Sequence, residues 1–196
     1  VVIAMGHSNA NYEEAKKGIY EGITIATHLY NGMRNFEHRE PGIVGAALED
    51  SRVYCELIYD TIHIHDTSAE IALKMKGPEK VILVSDAMRA AGLNEGEYEL
   101  GGQRVFVKDG AARLESGSLA GSVLDLRKAV RNMVFRMNVP VHQAVSMVSL
   151  NPAKALGIDD KKGSLEVGKD ADMVLFDSNI NVLASIVGGN VVWIEN

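Results

Sequence analysis

Four short apolar runs in this chain each close on a residue able to ligate a metal or move a proton. They read VVIAMGH ending at His7, ITIATH at His28, CELIYDTIH at Asp60 and His63, and KVILVSD at Asp86. Continuous apolar runs suit strands covered on both faces, as in a parallel sheet. Strands alternating with helical stretches, each strand closing on a polar residue, form the pattern of a (β/α) barrel. In such barrels the catalytic groups sit at the C-terminal ends of the strands. The four ends would then surround one mouth. The first run is already under way at Val1, so further chain is expected upstream.

The stretches between the runs fill in the alternation. Residues 1–6 read as a buried strand, and Asn9 or Asn11 can cap the helix NYEEAKKGIYEG, which ends at Gly22. Strand 23–28 follows, then the polar loop YNGMRNFEHREPG and a short helical segment, IVGAALED. After strand 53–60, Asp66, Thr67 or Ser68 can cap a helix that runs to Met75 and closes at Gly77-Pro78, ahead of strand 80–85. The alternation then breaks. Residues 96–115 read as a β-hairpin or meander with Gly-Gly and Asp-Gly turns. LAGSVLDLRKAVRNMVFRM reads as one amphipathic helix, and Pro140 opens another through VHQAVSMVSLNPAKALG. From Lys162 onward the texture is short β segments between Gly and Asp turns. The expected fold class is α/β: the C-terminal half of a (β/α)8 TIM-type barrel over 1–158, with the hairpin inserted near 96–115. The C-terminal part of a small β-sandwich domain follows over 159–196. Four strands do not close a barrel that needs eight, and open strand edges favour association.

Composition narrows the partners. A formal charge of −6 with no basic run argues against a nucleic-acid surface and against an anionic membrane surface. No apolar stretch approaches the roughly 20 residues that span a bilayer, and no signal-peptide pattern is present. The single cysteine, Cys55, lies inside a strand-like run and reads as a buried small hydrophobe. A cytoplasmic protein acting on a small molecule is expected.

Within the strand ends, His7 and His28 are the metal candidates. Two neutral imidazoles on successive strands can converge on one zinc or iron ion. A lone strand-end histidine is more often structural, so the pairing and the carboxylate two strands on carry the inference. A catalytic metal usually takes three protein ligands, and no convincing third is apparent. Asp86 ends the most apolar strand. It can serve as a turn residue, or as a carboxylate that takes a proton from the attacking water and hands it to the leaving group. His63 falls where a carbonyl-polarising or hydroxyl-binding histidine would sit. His65 belongs to the start of the next helix, and His38 and His142 are weaker candidates. Arg39, in the loop after the second strand, suits an anion because its guanidinium offers paired donors. Gly32, Gly42 and Gly121 allow the backbone to approach a ligand closely.

The motifs GHSNA at 6–10, THLYNGM at 27–33, REPG at 39–42, D-x-x-H at 60–63, VSDA at 84–87 and GSLAGS at 117–122 occur in this order. In that order the chain resembles the N-acetylglucosamine-6-phosphate deacetylases of the amidohydrolase superfamily. The stretch NPAKALGI…KGSLEVGKDADMVLFD is similar to the superfamily's general C-terminal signature. The resemblance implies metal ligation by His7 and His28, with zinc first and iron second. It implies acid/base catalysis by Asp86, and contact with the substrate and its acetamide carbonyl by His63. Asn31 and Gly32 would meet the sugar phosphate, and Arg39 would bind it from the neighbouring subunit of a homodimer. Asp60, Thr61, Ile62, Leu119, Ala120 and Gly121 match further substrate-contacting positions. The implied reaction is hydrolysis of N-acetylglucosamine 6-phosphate to glucosamine 6-phosphate and acetate. Where Thr61 stands the family often has Gly, and where Ser85 stands usually Thr. The family's glutamate ligand lies on an earlier strand than any here. Two alternatives stay open: another amidohydrolase acting on a different amide, and a catalytically incomplete fragment that holds metal weakly for want of that ligand.

Overall fold

The computed structural model describes residues 1–195. Four strands, β1 (Ile3–Met5), β2 (Ile23–Ala26), β3 (Tyr54–Leu57) and β4 (Val81–Leu83), form one parallel sheet in the order β1-β2-β3-β4. The helices between them are α1 (Tyr12–Tyr20), α2 (Gly42–Glu49) and α3 (Asp66–Lys76), and α3 leads through a 3-10 turn at Pro78–Lys80 into β4. Side-chain alternation sends Cys55 and Leu57 to one face, where both are fully buried. Ala15 and Ile19 of α1, Ala46 and Ala47 of α2, and Ala69 and Ala72 of α3 pack there. The intervening residues Tyr54 and Glu56 are half-buried on the other face. β1 pairs on one side only, and Ile3 is exposed rather than buried as the apolar run predicts.

Two helix starts are chosen by side-chain caps. The Asn11 carboxamide accepts from the Glu14 N–H while Glu14 reaches back to the Asn11 N–H, a reciprocal box that opens α1. α3 is capped by none of Asp66, Thr67 or Ser68. His65 takes that position, its Nδ1 accepting from the Thr67 N–H at 3.1 Å.

Downstream, β5 (Gly96–Leu100), β6 (Gln103–Lys108) and β7 (Ala111–Leu114) make an antiparallel sheet. Its turns at Gly101-Gly102 and Asp109-Gly110 have positive φ at both positions, the requirement of a tight two-residue hairpin. The expected helix from Leu119 is shorter. α4 runs Leu126–Met137, opened by Asp125, whose carboxylate accepts from the Lys128 N–H at 2.7 Å; residues 119–124 lie outside it. The expected helix after Pro140 is two helices, α5 (Val141–Ser146) and α6 (Leu150–Leu156). Pro152 has no N–H to extend the ladder, and the Met147 carbonyl turns out to accept from the Leu83 N–H at the end of β4. The chain ends in an antiparallel sheet ordered β10-β9-β8, made of β8 (Met173–Phe176), β9 (Val182–Val187) and β10 (Asn190–Ile194). Phe176 and Ile180 join it to the main core.

Candidate active site at the strand ends

His7, His28, Asp60 with His63, and Asp86 all follow the C-terminal ends of the adjacent strands β1 to β4 within a few residues. Three of them have left-handed backbones: His7 at φ 44°, His28 at φ 33° and Asp86 at φ 48°; Thr61 stands at φ 71°. Each such conformation costs a non-glycine residue roughly 1–3 kcal/mol and persists where surrounding structure over-determines it. The strand exits are thus held in turns that the side chains alone would not choose.

The His7 and His28 rings meet edge to face with centroids 4.7 Å apart. His28 is buried, and its Nδ1 has no hydrogen-bond partner. Buried ring nitrogens are normally satisfied, so an orphaned one beside a second imidazole fits two positions in the coordination sphere of a divalent cation. Among the described residues, no group of three or more His, Cys, Asp or Glu side chains is placed to hold a metal. Gly32 makes room for the pair. A Cβ on it would stand 2.6 Å from His7 Nδ1.

The Asp60 carboxylate is committed three ways. Oδ1 accepts from the Ile62 and His63 N–H groups at 2.8 Å each, and Oδ2 lies 2.7 Å from His63 Nδ1. Burial alone would raise its pKa, but the hydrogen bonds from His63 and the backbone outweigh burial and hold it below the ordinary range. Asp60 is therefore ionised, with both oxygens turned to His63 and the adjoining backbone. The His63 ring is left with Nε2 as its free nitrogen. Ile62 is half-buried and Thr61 exposed beside this pair.

Asp86 is exposed and shares a cavity with Glu56, Ile25, Ile82, Leu83, Val84 and Ser85. Its neighbours are braced by the loop at 118–122. Gly121 has φ 63°, and a Cβ there would come within 3.3 Å of the Asp86 carbonyl oxygen. Leu119 is half-buried, and Ala120 is buried with Met88, Val105 and Ala112.

Sequence reasoning passed over two residues. Glu56 is half-buried on the face of β3 that shares the cavity with Asp86, and its Oε2 accepts from the His28 N–H at 3.4 Å. Burial raises its pKa, opposed by that hydrogen bond. A glutamate inside an otherwise apolar run was the available signal. Ser122, the last residue of GSLAGS, is 1% exposed and bonds to both sides of Asp86.

The loop after β2 is organised by its own polar groups. The Asn31 amide donates to the His28 and Leu29 carbonyls at 3.3 Å, so it shapes the turn beside the histidines. The Glu40 carboxylate accepts from the Tyr12 and Gly42 N–H groups and ties the far end to α1. Between these anchors Arg39 is exposed and forms no salt bridge among the described residues.

The chain is α/β with candidate ligands and acid/base groups at its parallel strand ends, and the Amidohydrolase family profile matches residues 1–192. The chain belongs to that family. It is 43% identical over 191 residues to N-acetylglucosamine-6-phosphate deacetylase of Lysinibacillus sphaericus, covering 97% of this chain and 49% of that protein. It is 42% identical over 182 residues to N-acetylgalactosamine-6-phosphate deacetylase of Escherichia coli O157:H7, covering 93% and 48%. A solved deacetylase from Mycobacterium smegmatis, in complex with N-acetyl-D-glucosamine-6-phosphate, superposes with a TM-score of 0.93 at 36% identity, covering 98% of this chain and 52% of that one. The chain spans about half the length of these relatives.

Proposed function

We propose that the complete protein hydrolyses the acetamide of N-acetylglucosamine 6-phosphate, releasing glucosamine 6-phosphate and acetate. The observation that carries this reading is the grouping on four adjacent strand ends: a histidine pair with an unspent nitrogen, a buried Asp60–His63 pair and an exposed Asp86. The family is generally metal-dependent, and the donor set favours zinc first and iron second. When bound, the metal supplies Lewis-acid polarisation and acidifies water. His7 and His28 hold it, together with a third ligand that the resemblance puts on an earlier strand.

Asp86 takes the proton from the attacking water as the water oxygen bonds to the acetamide carbon. It returns that proton to the nitrogen as the carbon–nitrogen bond breaks, so one carboxylate serves both steps. His63 meets the substrate through Nε2, its Nδ1 being committed to Asp60. Asp60, Thr61, Ile62, Leu119, Ala120 and Gly121 are substrate-contacting positions, and Asn31 and Gly32 meet the sugar phosphate. Arg39 reaches the phosphate of the neighbouring subunit in a homodimer, a reading supported by its exposure and its lack of an ion-pair partner. Residues 1–158 form half of a (β/α)8 barrel, with 159–196 belonging to a small β-sandwich domain. The −6 charge and the phosphorylated substrate suit a cytoplasmic enzyme without nucleic-acid or membrane partners. No helix among the described residues is long and apolar enough to cross a membrane.

A second reading is the galactosamine epimer, favoured by a relative of nearly equal identity. Acetate release by the complete, metal-loaded protein from both amino-sugar 6-phosphates and from unphosphorylated N-acetylglucosamine, with ring opening of dihydroorotate followed separately, tests both. Turnover of the glucosamine compound at least tenfold above its epimer is expected. Hydrolysis of dihydroorotate alone would overturn the assignment.

A further inference from the structure

Ser122 spends its polar groups on the segment around Asp86. Its hydroxyl donates to the Ser85 carbonyl, its N–H donates to the Asp86 carbonyl at 2.8 Å, and its own carbonyl accepts from the Met88 N–H at 2.9 Å. The hydroxyl oxygen also accepts from the Leu124 N–H at 3.0 Å. The Ser85 carbonyl belongs to the peptide before the Asp86 α-carbon, and the Asp86 carbonyl to the peptide after it. Clamping both planes restrains φ and ψ of Asp86, and hence the direction of the Cα–Cβ bond from which its carboxylate projects. This matters because Asp86 is held at φ 48°, in the left-handed region that few non-glycine residues occupy.

The clamp is itself anchored. Gly121, at φ 63°, allows the approach, since a Cβ there would stand 3.2 Å from Met88 Cβ and 3.3 Å from the Asp86 oxygen. The Ala120 N–H donates to the Ala112 carbonyl on β7 at 3.0 Å. Met88 sits in a separate small core with Val105 and Val107 of β6, Ala112 of β7 and Ala120. The β5–β7 sheet therefore grips the chain on both sides of the clamp.

We propose that Ser122 is the positioning residue for Asp86, and that the inserted β5–β7 sheet serves to hold it against the strand end. This rests on the reading of Asp86 as the proton-transfer group. The reaction needs that carboxylate aimed first at a water and then at a nitrogen, and a displacement of about 1 Å at such a group costs about 10²-fold in rate. The test is a double-mutant cycle on the complete, metal-loaded enzyme with N-acetylglucosamine 6-phosphate. Ser122→Ala should lower kcat roughly 10- to 100-fold, with KM changed less than about threefold. In an Asp86→Asn background the same change should cost nothing further, because its effect passes through the carboxylate. Should Ser122→Ala not fold, Gly121→Ala presses on the same contact and takes its place in the cycle. Wild-type kcat in the clamp variant, or an equal loss with and without Asp86, would overturn the positioning role alone. Full activity of Asp86→Asn would remove the reading of Asp86, and this role with it.

Discussion

Asp60 Oδ2 and His63 Nδ1 lie 2.7 Å apart with both side chains nearly sealed from solvent, 3% and 5% exposed. The carboxylate is an acceptor only, so the proton between them resides on Nδ1 and the ring presents Nε2 to a ligand. Asp60→Asn places an amide against Nδ1, where its NH₂ would hold the opposite tautomer. The expected result is a fall in kcat of about 10²- to 10⁴-fold with a smaller change in KM, read by steady-state acetate release. An unchanged kcat would show that the orientation of His63 is not used.

Thr61 carries a branched side chain at φ 71°, a conformation glycine adopts freely. Thr61→Gly should therefore stabilise the protein by about 1 kcal/mol, the relieved strain exceeding the added freedom of the unfolded chain. Denaturant unfolding measures it, and a loss of stability would contradict the strain.

The absence of a side chain at Gly32 leaves room for the His7 ring. Gly32→Ala adds a methyl 2.6 Å from Nδ1 at φ 60°, so the imidazole must shift. Metal affinity of the complete protein should fall on the order of 10- to 100-fold in chelator competition, as for other changes that misorient a ligand. Retained affinity would mean that His7 is not a ligand or has room to move.

Asp50 governs acid stability away from the site. Its carboxyl is held far below the ordinary range by Arg52, then by Lys16, with burial opposing both. A depressed folded-state value stabilises above the unfolded value of about 4, and that contribution fades as the pH drops further. Asp50→Asn should be less stable than wild type at pH 7, with the gap narrowing progressively below about pH 4 in thermal melts. A gap independent of pH would exclude the ion pairs as its source.

The strands and their terminal residues were legible because uninterrupted apolar runs have few other uses, and the Gly-Gly and Asp-Gly turns of the β5–β7 sheet carried their own signal. The start of α4 was missed because residues 119–124 share its apolar texture, while the backbone at Leu119 and Ala120 pairs with β7 and that of Ser122 with the Asp86 segment. The break between α5 and α6 depends on a hydrogen bond from Leu83, which no local pattern encodes. The left-handed turns at His7, His28 and Asp86 left no mark, since no glycine announces them. Only Thr61 offered a hint, through the glycine that the family resemblance puts at its position. Glu56 and Ser122 acquire their roles from neighbours distant in sequence.

The proposed activity depends on Asp86 as the group that moves the proton during amide hydrolysis. The most direct measurement is acetate release from N-acetylglucosamine 6-phosphate by the complete, metal-loaded wild-type enzyme and its Asp86→Asn variant side by side. Loss of a general acid/base is expected to lower kcat by about 10²- to 10⁴-fold with the metal still bound. Turnover by the variant at the wild-type rate would contradict proton transfer by Asp86.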